Sequence, residues 1–386
     1  MSRFFSFILY VAILGVSVFT LFYLFHIQSV DKKNLERMSQ LNGGFKILSK
    51  ISIDKIEVND FRSIFEAYSQ NGRNPGLAIG ITYGVRTFPF YFGSTGTDGK
   101  PINDKTLFEI GAVTQTFTGL WLARMMEQQK LPPNPLLNQI LGSSTPLDLK
   151  SIRLLDLATH TAGFPKMPLN FPSGNANENP FAHYSSDSLW SSLSTIQPEK
   201  IGTYQYSNYG YAALGESLAR FRGSPFPTLL RQEILTPLGL QSMRFGTEGD
   251  PAPPYQMAIP HRDGRTTFRL PLYAFDPAGG LCSTLPDLLK YINIMTYPDR
   301  SPFPITLKLA TKPWKKSEET LGLGLGWYVS PHPFGTIIWK NGGAGGFRSY
   351  VGYWDDLPLG VVILANSDDE LIDLIGIRLL QALREL

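Results

Sequence analysis

The chain has 386 residues, 43% of them hydrophobic and 17% charged, which is enough apolar material for one large domain or two small ones. A net charge of +3 with scattered basic residues argues against nucleic acid as a partner. The single cysteine, Cys282, excludes an internal disulfide. His26, His160, His183, His261 and His332 are too widely spaced for a metal-ligand pattern, so each is expected to be solvated or structural and no metal or cofactor is called for.

Residues Phe4 to Phe25 carry no charge over 22 positions, and about 20 apolar residues suffice to cross a bilayer as a helix. The run exceeds the apolar core of a signal peptide, and no small-x-small cleavage site follows it. Residues 1–25 are therefore read as an uncleaved membrane anchor. Arg3 precedes the run and Lys32, Lys33 and Arg37 follow it, so charge bias leaves the orientation open. Residues 26–57 are polar and read as a stalk. Two Ser-x-x-Lys tetrads, at Ser29–Lys32 and Ser52–Lys55, open no amphipathic helix and are read as chance matches.

The globular part is expected over 58–386, starting with a helix at Phe61–Tyr68. Leu77–Tyr83 and Thr87–Phe92 read as strands about a turn at Gly84. Apolar residues from Val113 through Leu120, Trp121, Ala123, Met125 and Met126 recur at helical spacing, predicting a helix over 112–129 with one buried face. Residues from roughly 100 to 320 are helix-and-loop in character, with helices at Ile152–His160, from Asn208 through Arg220, Phe226–Leu235 and Leu285–Met295. A Pro/Asn/Ser-rich loop covers 165–187. Strand chemistry returns at Leu325–Val329, Ile337–Lys340, Ser349–Trp354 and Gly360–Ala365. Glu370–Leu386 closes the chain as an amphipathic helix. The expected architecture is α+β, of α/β sandwich type. An antiparallel sheet is built from both chain ends and flanked by helices, with a mostly helical region inserted.

Between the strand at Ile337–Lys340 and the one at Ser349–Trp354 lies Gly342-Gly343-Ala344-Gly345-Gly346. Glycines at this density permit a close approach and positive φ, and the run is read as the turn of a hairpin. Lys340 would stand at a strand edge beside exposed N–H groups, an arrangement suited to an anion.

Three stretches line up in order: the helix start at 107–117, Tyr206-Ser207-Asn208, and Lys340-Asn341-Gly342. Together they resemble the penicillin-recognising serine hydrolases, specifically class C β-lactamases and D-alanyl-D-alanine carboxypeptidases. That family carries S-x-x-K at the start of a buried helix, Y-x-N on a loop and K-T-G on a sheet strand. Supporting stretches are Leu155–Gly163, Tyr209–Gly215 and Ala278–Thr284.

The resemblance implies a mechanism and also its loss. In the family a serine hydroxyl attacks a carbonyl to form an acyl-enzyme. The helix lysine and the tyrosine take its proton. Two backbone N–H groups hold the oxyanion, at positions matching Ala112 and Gly343 here. Tyr206, Asn208, Lys340 and Gly342 are kept, and Asn341 replaces the threonine. The serine position holds Ala112 and the helix lysine position holds Gln115. Alanine has no nucleophilic atom, and glutamine has neither charge nor useful pKa. Alanine is also the best helix former, so the helix itself loses nothing.

Three functions are open at this point. The first is a membrane-anchored, catalytically degenerate protein, exported to the periplasm or cell surface. It would bind a peptide, a peptidoglycan-like fragment or a protein partner in the old cleft. The second is a hydrolase in which Tyr206, its pKa lowered by Lys340, activates water. The third is a structural membrane scaffold.

Overall fold

A computed structural model describes residues 75–384, apart from 97–98, 133, 143–148, 173–177 and 318–319. The 4–25 span, the 26–57 stalk, both Ser-x-x-Lys tetrads and the Phe61–Tyr68 helix lie outside the described residues. Among those described, no helix is long and apolar enough to cross a membrane.

The frame is an eight-stranded sheet. Its strands are β1 (Gly76–Tyr83), β2 (Arg86–Gly93), β3 (Lys315–Lys316), β4 (Gly322–Leu323), β5 (Tyr328–His332), β6 (Gly335–Ala344), β7 (Phe347–Trp354) and β8 (Leu359–Ala365). Their spatial order is β2-β1-β8-β7-β6-β5-β4-β3, antiparallel throughout. The first strands of the domain thus pair with the last, as the strand chemistry at both chain ends predicts.

Alternation along the central strands divides the core in two. Leu77, Ile79, Ile81, Val361, Ile363 and Ala365 pack with the C-terminal helix Leu371–Arg384. Ala78, Val351, Tyr353, Val362 and Leu364 face the opposite side, against Leu285–Thr296 and the helical region. A strand apolar at every position, such as β8, is therefore buried on both faces.

Helix α1 (Thr114–Glu127) lies at the centre of the helical region, and α2 (Asn208–Arg222) packs beside it. Periodicity predicts one buried face for α1. Instead every residue from Thr114 to Ala123 is buried. The threonines make this tolerable because their hydroxyls find backbone carbonyls, within the helix start or across the fold. Thr116 donates to the Val113 carbonyl at 2.8 Å and Thr118 to that of Pro277 at 2.7 Å. The inserted region is also less purely helical than expected. Two to four residues each from Thr106–Glu109, Arg244–Phe245, Gln256–Met257 and Leu281–Ser283 form a small second sheet, one pairing of which is parallel. Strands this short carry no readable period.

The last strands differ from expectation in their limits. Leu325–Val329 is not one strand: β5 begins at Tyr328, and Gly326 takes φ +84° where the chain passes α1. The glycine run is not mainly a turn. Strand β6 continues through Ala344, and only Gly345 and Gly346 form the two-residue turn, at φ +50° and +106°.

Candidate functional site

The site assembles where β6 passes the first turn of the central helix. Gly111–Val113 forms a 3₁₀ turn that leads into α1. The two segments approach so closely that side chains are excluded. A methyl built on Gly342 would lie 2.1 Å from the Ile110 carbonyl oxygen, and one on Gly111 would lie 2.7 Å from that of Gly343. Ser349 on β7 ties the same corner, donating to the Ile110 carbonyl at 2.8 Å.

Strand geometry fixes where the backbone groups point. A two-residue turn makes Ala344 and Phe347 the hydrogen-bonded closing pair of the hairpin. Alternation then directs Gly342 and Lys340 to β7, and turns the N–H groups of Gly343 and Asn341 toward the opposite edge. That edge faces the Gly111–Ala112 turn. The N–H of Ala112 lies in the first turn of its helix, where no intrahelical acceptor exists. Two backbone donors therefore stand at the corner where β6 meets the Gly111–Ala112 turn.

Beneath Ala112 lies a closed chain of neutral hydrogen bonds. His160, 4% exposed, accepts the Ser207 N–H on Nδ1 at 3.1 Å. Burial, reinforced by the charge of Lys340, holds its pKa well below the ordinary value, so the ring is neutral with its proton on Nε2. Nε2 donates to Gln115 Oε1 at 3.2 Å. This fixes the amide, whose Nε2 donates to Tyr206 Oη at 2.9 Å and more weakly to Asn208 Oδ1 at 3.4 Å. Tyr206 in turn donates to Asn208 Oδ1 at 2.9 Å. Its oxygen accepts, its proton is committed, and no member of the chain is a base.

Expectations for the tyrosine and the strand lysine are both revised. Burial pushes the Tyr206 hydroxyl up, not down, and no cation offsets it enough to reverse the sign. Lys340, read from the sequence as a strand-edge charge within reach of a ligand carboxylate, is 1% exposed. Its ammonium sits 4.5 Å from the Tyr328 ring centroid and 5.4 Å from that of Tyr206. Burial drops its pKa to about 7, while the ring faces favour the charged form by roughly 0.5–2 kcal/mol. Among the described residues no carboxylate pairs with it.

The cleft itself has a volume of about 630 Å³, within the usual range for ligand sites. Ala112, Tyr206, Asn208, Asn341, Gly342 and Gly343 all line it; Gln115 and Lys340 lie behind the wall. The opposite wall is apolar: Phe181, Leu270, Leu272 and Phe275. Two cations, Lys166 and Arg348, border the cleft, and among the described residues no carboxylate lines it.

Arg348 and Asp373 escaped the sequence reading, as did the place of His160 at Gln115. Asp373, 1% exposed, accepts from Arg348 Nε at 2.9 Å, from Arg348 Nη2, and from Asn341 Nδ2 at 2.6 Å. An available signal was a carboxylate within the apolar helix stretch Leu371-Ile372-Asp373-Leu374-Ile375, which needs a buried cation. Asn341, at the threonine position, is thus committed to Asp373. Among the described residues no cluster of histidine, cysteine and carboxylate side chains could hold a metal.

A family model described as Beta-lactamase matches residues 61–383. The chain is 27% identical to a β-lactamase of Pseudomonas fluorescens, over 79% of this chain and 92% of that protein. It is 24% identical to a β-lactamase of Escherichia coli (strain K12), over 81% and 89%. It is 25% identical to the D-alanyl-D-alanine-carboxypeptidase/endopeptidase AmpH of the same organism, over 75% and 79%.

Proposed function

The chain belongs to the β-lactamase family, and from that premise we propose that it holds a ligand in the family's cleft without acylating it. The observation that carries this reading is the neutral chain His160–Gln115–Tyr206–Asn208, whose Tyr206 and Asn208 line the cleft together with Ala112. Acyl transfer needs a nucleophile and a group that takes its proton. Here the nucleophile position is a methyl, and both lone-pair and proton of Tyr206 are engaged. Water activation by Tyr206 is disfavoured for the same reason and by the upward shift of its pKa.

The ligand class proposed is a peptide or peptidoglycan-like fragment, or the peptide segment of a protein partner. Backbone N–H donors serve the carbonyl, the apolar wall takes a side chain, and the bordering Lys166 favours an anionic group. The 4–25 apolar run would tether the domain to a membrane, facing the periplasm or cell surface.

The test is incubation with a fluorescent penicillin followed by denaturing electrophoresis and intact-mass measurement. No covalent adduct is expected, alongside reversible binding of acylated dipeptides by calorimetry. A stoichiometric mass increase in the unmodified protein would sink the reading.

A further inference from the structure

The segments that send Phe181 and Phe275 into the cleft send their neighbours Ala182, Ala274 and Asp276 into a second cavity, of about 960 Å³. Residues of α2, of the helix Ser186–Leu193 and of the turn Tyr273–Phe275 enclose it. We propose that this cavity is a ligand site of its own and that it takes an alkylammonium group. Nothing in this assignment depends on what the cleft holds.

Three carboxylates stand among the described residues of its wall, Asp187, Glu216 and Asp276. Asp276 is the one that points to a ligand. It is 4% exposed. Its carboxyl fits against Gly280, where a methyl would lie 2.1 Å from Oδ1. Oδ2 accepts from the Thr247 hydroxyl, also of the cavity wall, at 3.1 Å. Oδ1 has no hydrogen-bond partner among the described residues. A buried carboxylate oxygen left without a donor costs free energy, and a bound ammonium supplies the donor together with the opposite charge.

The surroundings favour a cation. Burial pushes the Asp276 carboxyl up to about 7, and the charges of Glu216 on α2 and Glu248 on the turn Gly246–Glu248 push it the same way. Thr247 and the Leu272 N–H offset this only in part. Glu216 is itself raised by burial. The basic groups of the wall are His183 and Arg220, and Arg220 is exposed, with its guanidinium 5.0 Å from the centroid of the Trp190 ring. That face already receives a cation from the solvent side. Phe226 and Tyr273 add apolar surface for an alkyl stem. Tyr273 sits at the rim, 46% exposed, with φ +52°, a conformation uncommon for a bulky L residue. The carboxylates are not gathered as a metal needs: no three histidine, cysteine or carboxylate side chains among the described residues could hold one ion. An ammonium on a flexible stem requires no such convergence.

Calorimetry on the full chain tests this with 1,5-diaminopentane, with 1,5-pentanediol as its neutral match and Nα-acetyl-lysine methylamide as the side-chain source of the same group. The diamine is expected to bind at least about ten-fold tighter than the diol, the size of one charge-assisted hydrogen bond. Below pH 7 Asp276 must release its proton before it pairs with the cation. Affinity is therefore expected to rise with pH, by up to about ten-fold per unit, and to level off above 7. Asp276→Asn keeps the shape and is expected to remove both the preference for the amine and its pH dependence. Should that variant fail to fold, Glu216→Gln, at a less buried position, is expected to weaken amine binding several-fold and leave the diol unchanged. Tighter binding of either amine supports the assignment and names the source. Equal binding of diamine and diol, binding of neither, or amine binding retained in both variants overturns it. Binding that appears only after Arg220→Ala would make Arg220 the occupant and overturn it as well.

Discussion

Gln115 donates to the hydroxyl oxygen of Tyr206 at 2.9 Å. Gln115 stands where the sequence resemblance expects a helix lysine, and it meets the tyrosine oxygen with an uncharged amide. The bond explains how the helix start stays family-like in shape while carrying no base. A buried polar group must be satisfied, and glutamine meets three neighbours at once, His160, Tyr206 and Asn208.

Replacing Tyr206 by phenylalanine breaks this chain at its centre. Gln115 loses an acceptor and Asn208 a donor, both in buried surroundings. A loss of about 1–3 kcal/mol in stability is expected, measured by denaturant unfolding. No hydrolysis of an ester and amide panel is expected in either protein. Turnover by the unmodified protein that vanishes in Tyr206→Phe would establish a tyrosine-driven hydrolase instead.

The double variant Ala112→Ser/Gln115→Lys restores a nucleophile above Tyr206 and Asn208, within an otherwise preserved helix start. It is expected to acquire slow acylation by a fluorescent penicillin, visible as a mass adduct, whereas Ala112→Ser alone gains little. Complete inertness of a folded double variant would mean that the buried Lys340 and the committed Asn341 have changed the cleft beyond repair at two positions.

Lys340 makes stability depend on pH in a defined direction. Its folded pKa of about 7 lies below the unfolded value near 10.4. Below pH 7 both states are charged and the full burial penalty applies. Between about 7 and 10 the unfolded chain binds the extra proton, so stability rises with pH, by up to about 1.4 kcal/mol per unit. Thermal unfolding of Lys340→Met should lack this rise and gain most below pH 7. A variant destabilised equally at every pH would show that the tyrosine rings hold the ammonium favourably.

Asp373 is buried and accepts three donors from Arg348 and Asn341. Asp373→Ala removes the carboxylate paired with the partly buried Arg348 guanidinium, and a loss of about 3–5 kcal/mol is expected. Asp373→Ala with Arg348→Met should recover part of it, measured by denaturant midpoint. An additive double variant would show that the pair is not coupled.

Gly342→Ala places a methyl 2.1 Å from the Ile110 carbonyl. Strand β6 must then move off the helix start, at a cost of about 1–3 kcal/mol. Ligand affinity should fall with it, since the Gly343 donor moves too. Unchanged affinity would place the ligand away from this corner.

The sequence by itself determined the frame. Runs of β-branched and aromatic residues bounded by turns at both ends of the domain predicted the sheet that joins them, because such residues favour extended backbone locally. It also determined that no serine nucleophile stands at the helix start, since Ala112 is a matter of identity and not of geometry. The tertiary structure alone decided how each polar group is used. Burial of Lys340 depends on tyrosines at 206 and 328, and the commitment of Asn341 on a carboxylate at 373. The neutrality of His160 depends on the N–H of Ser207 and on its own burial. Desolvation and hydrogen bonding act between residues far apart in the chain, and local pattern carries no record of them.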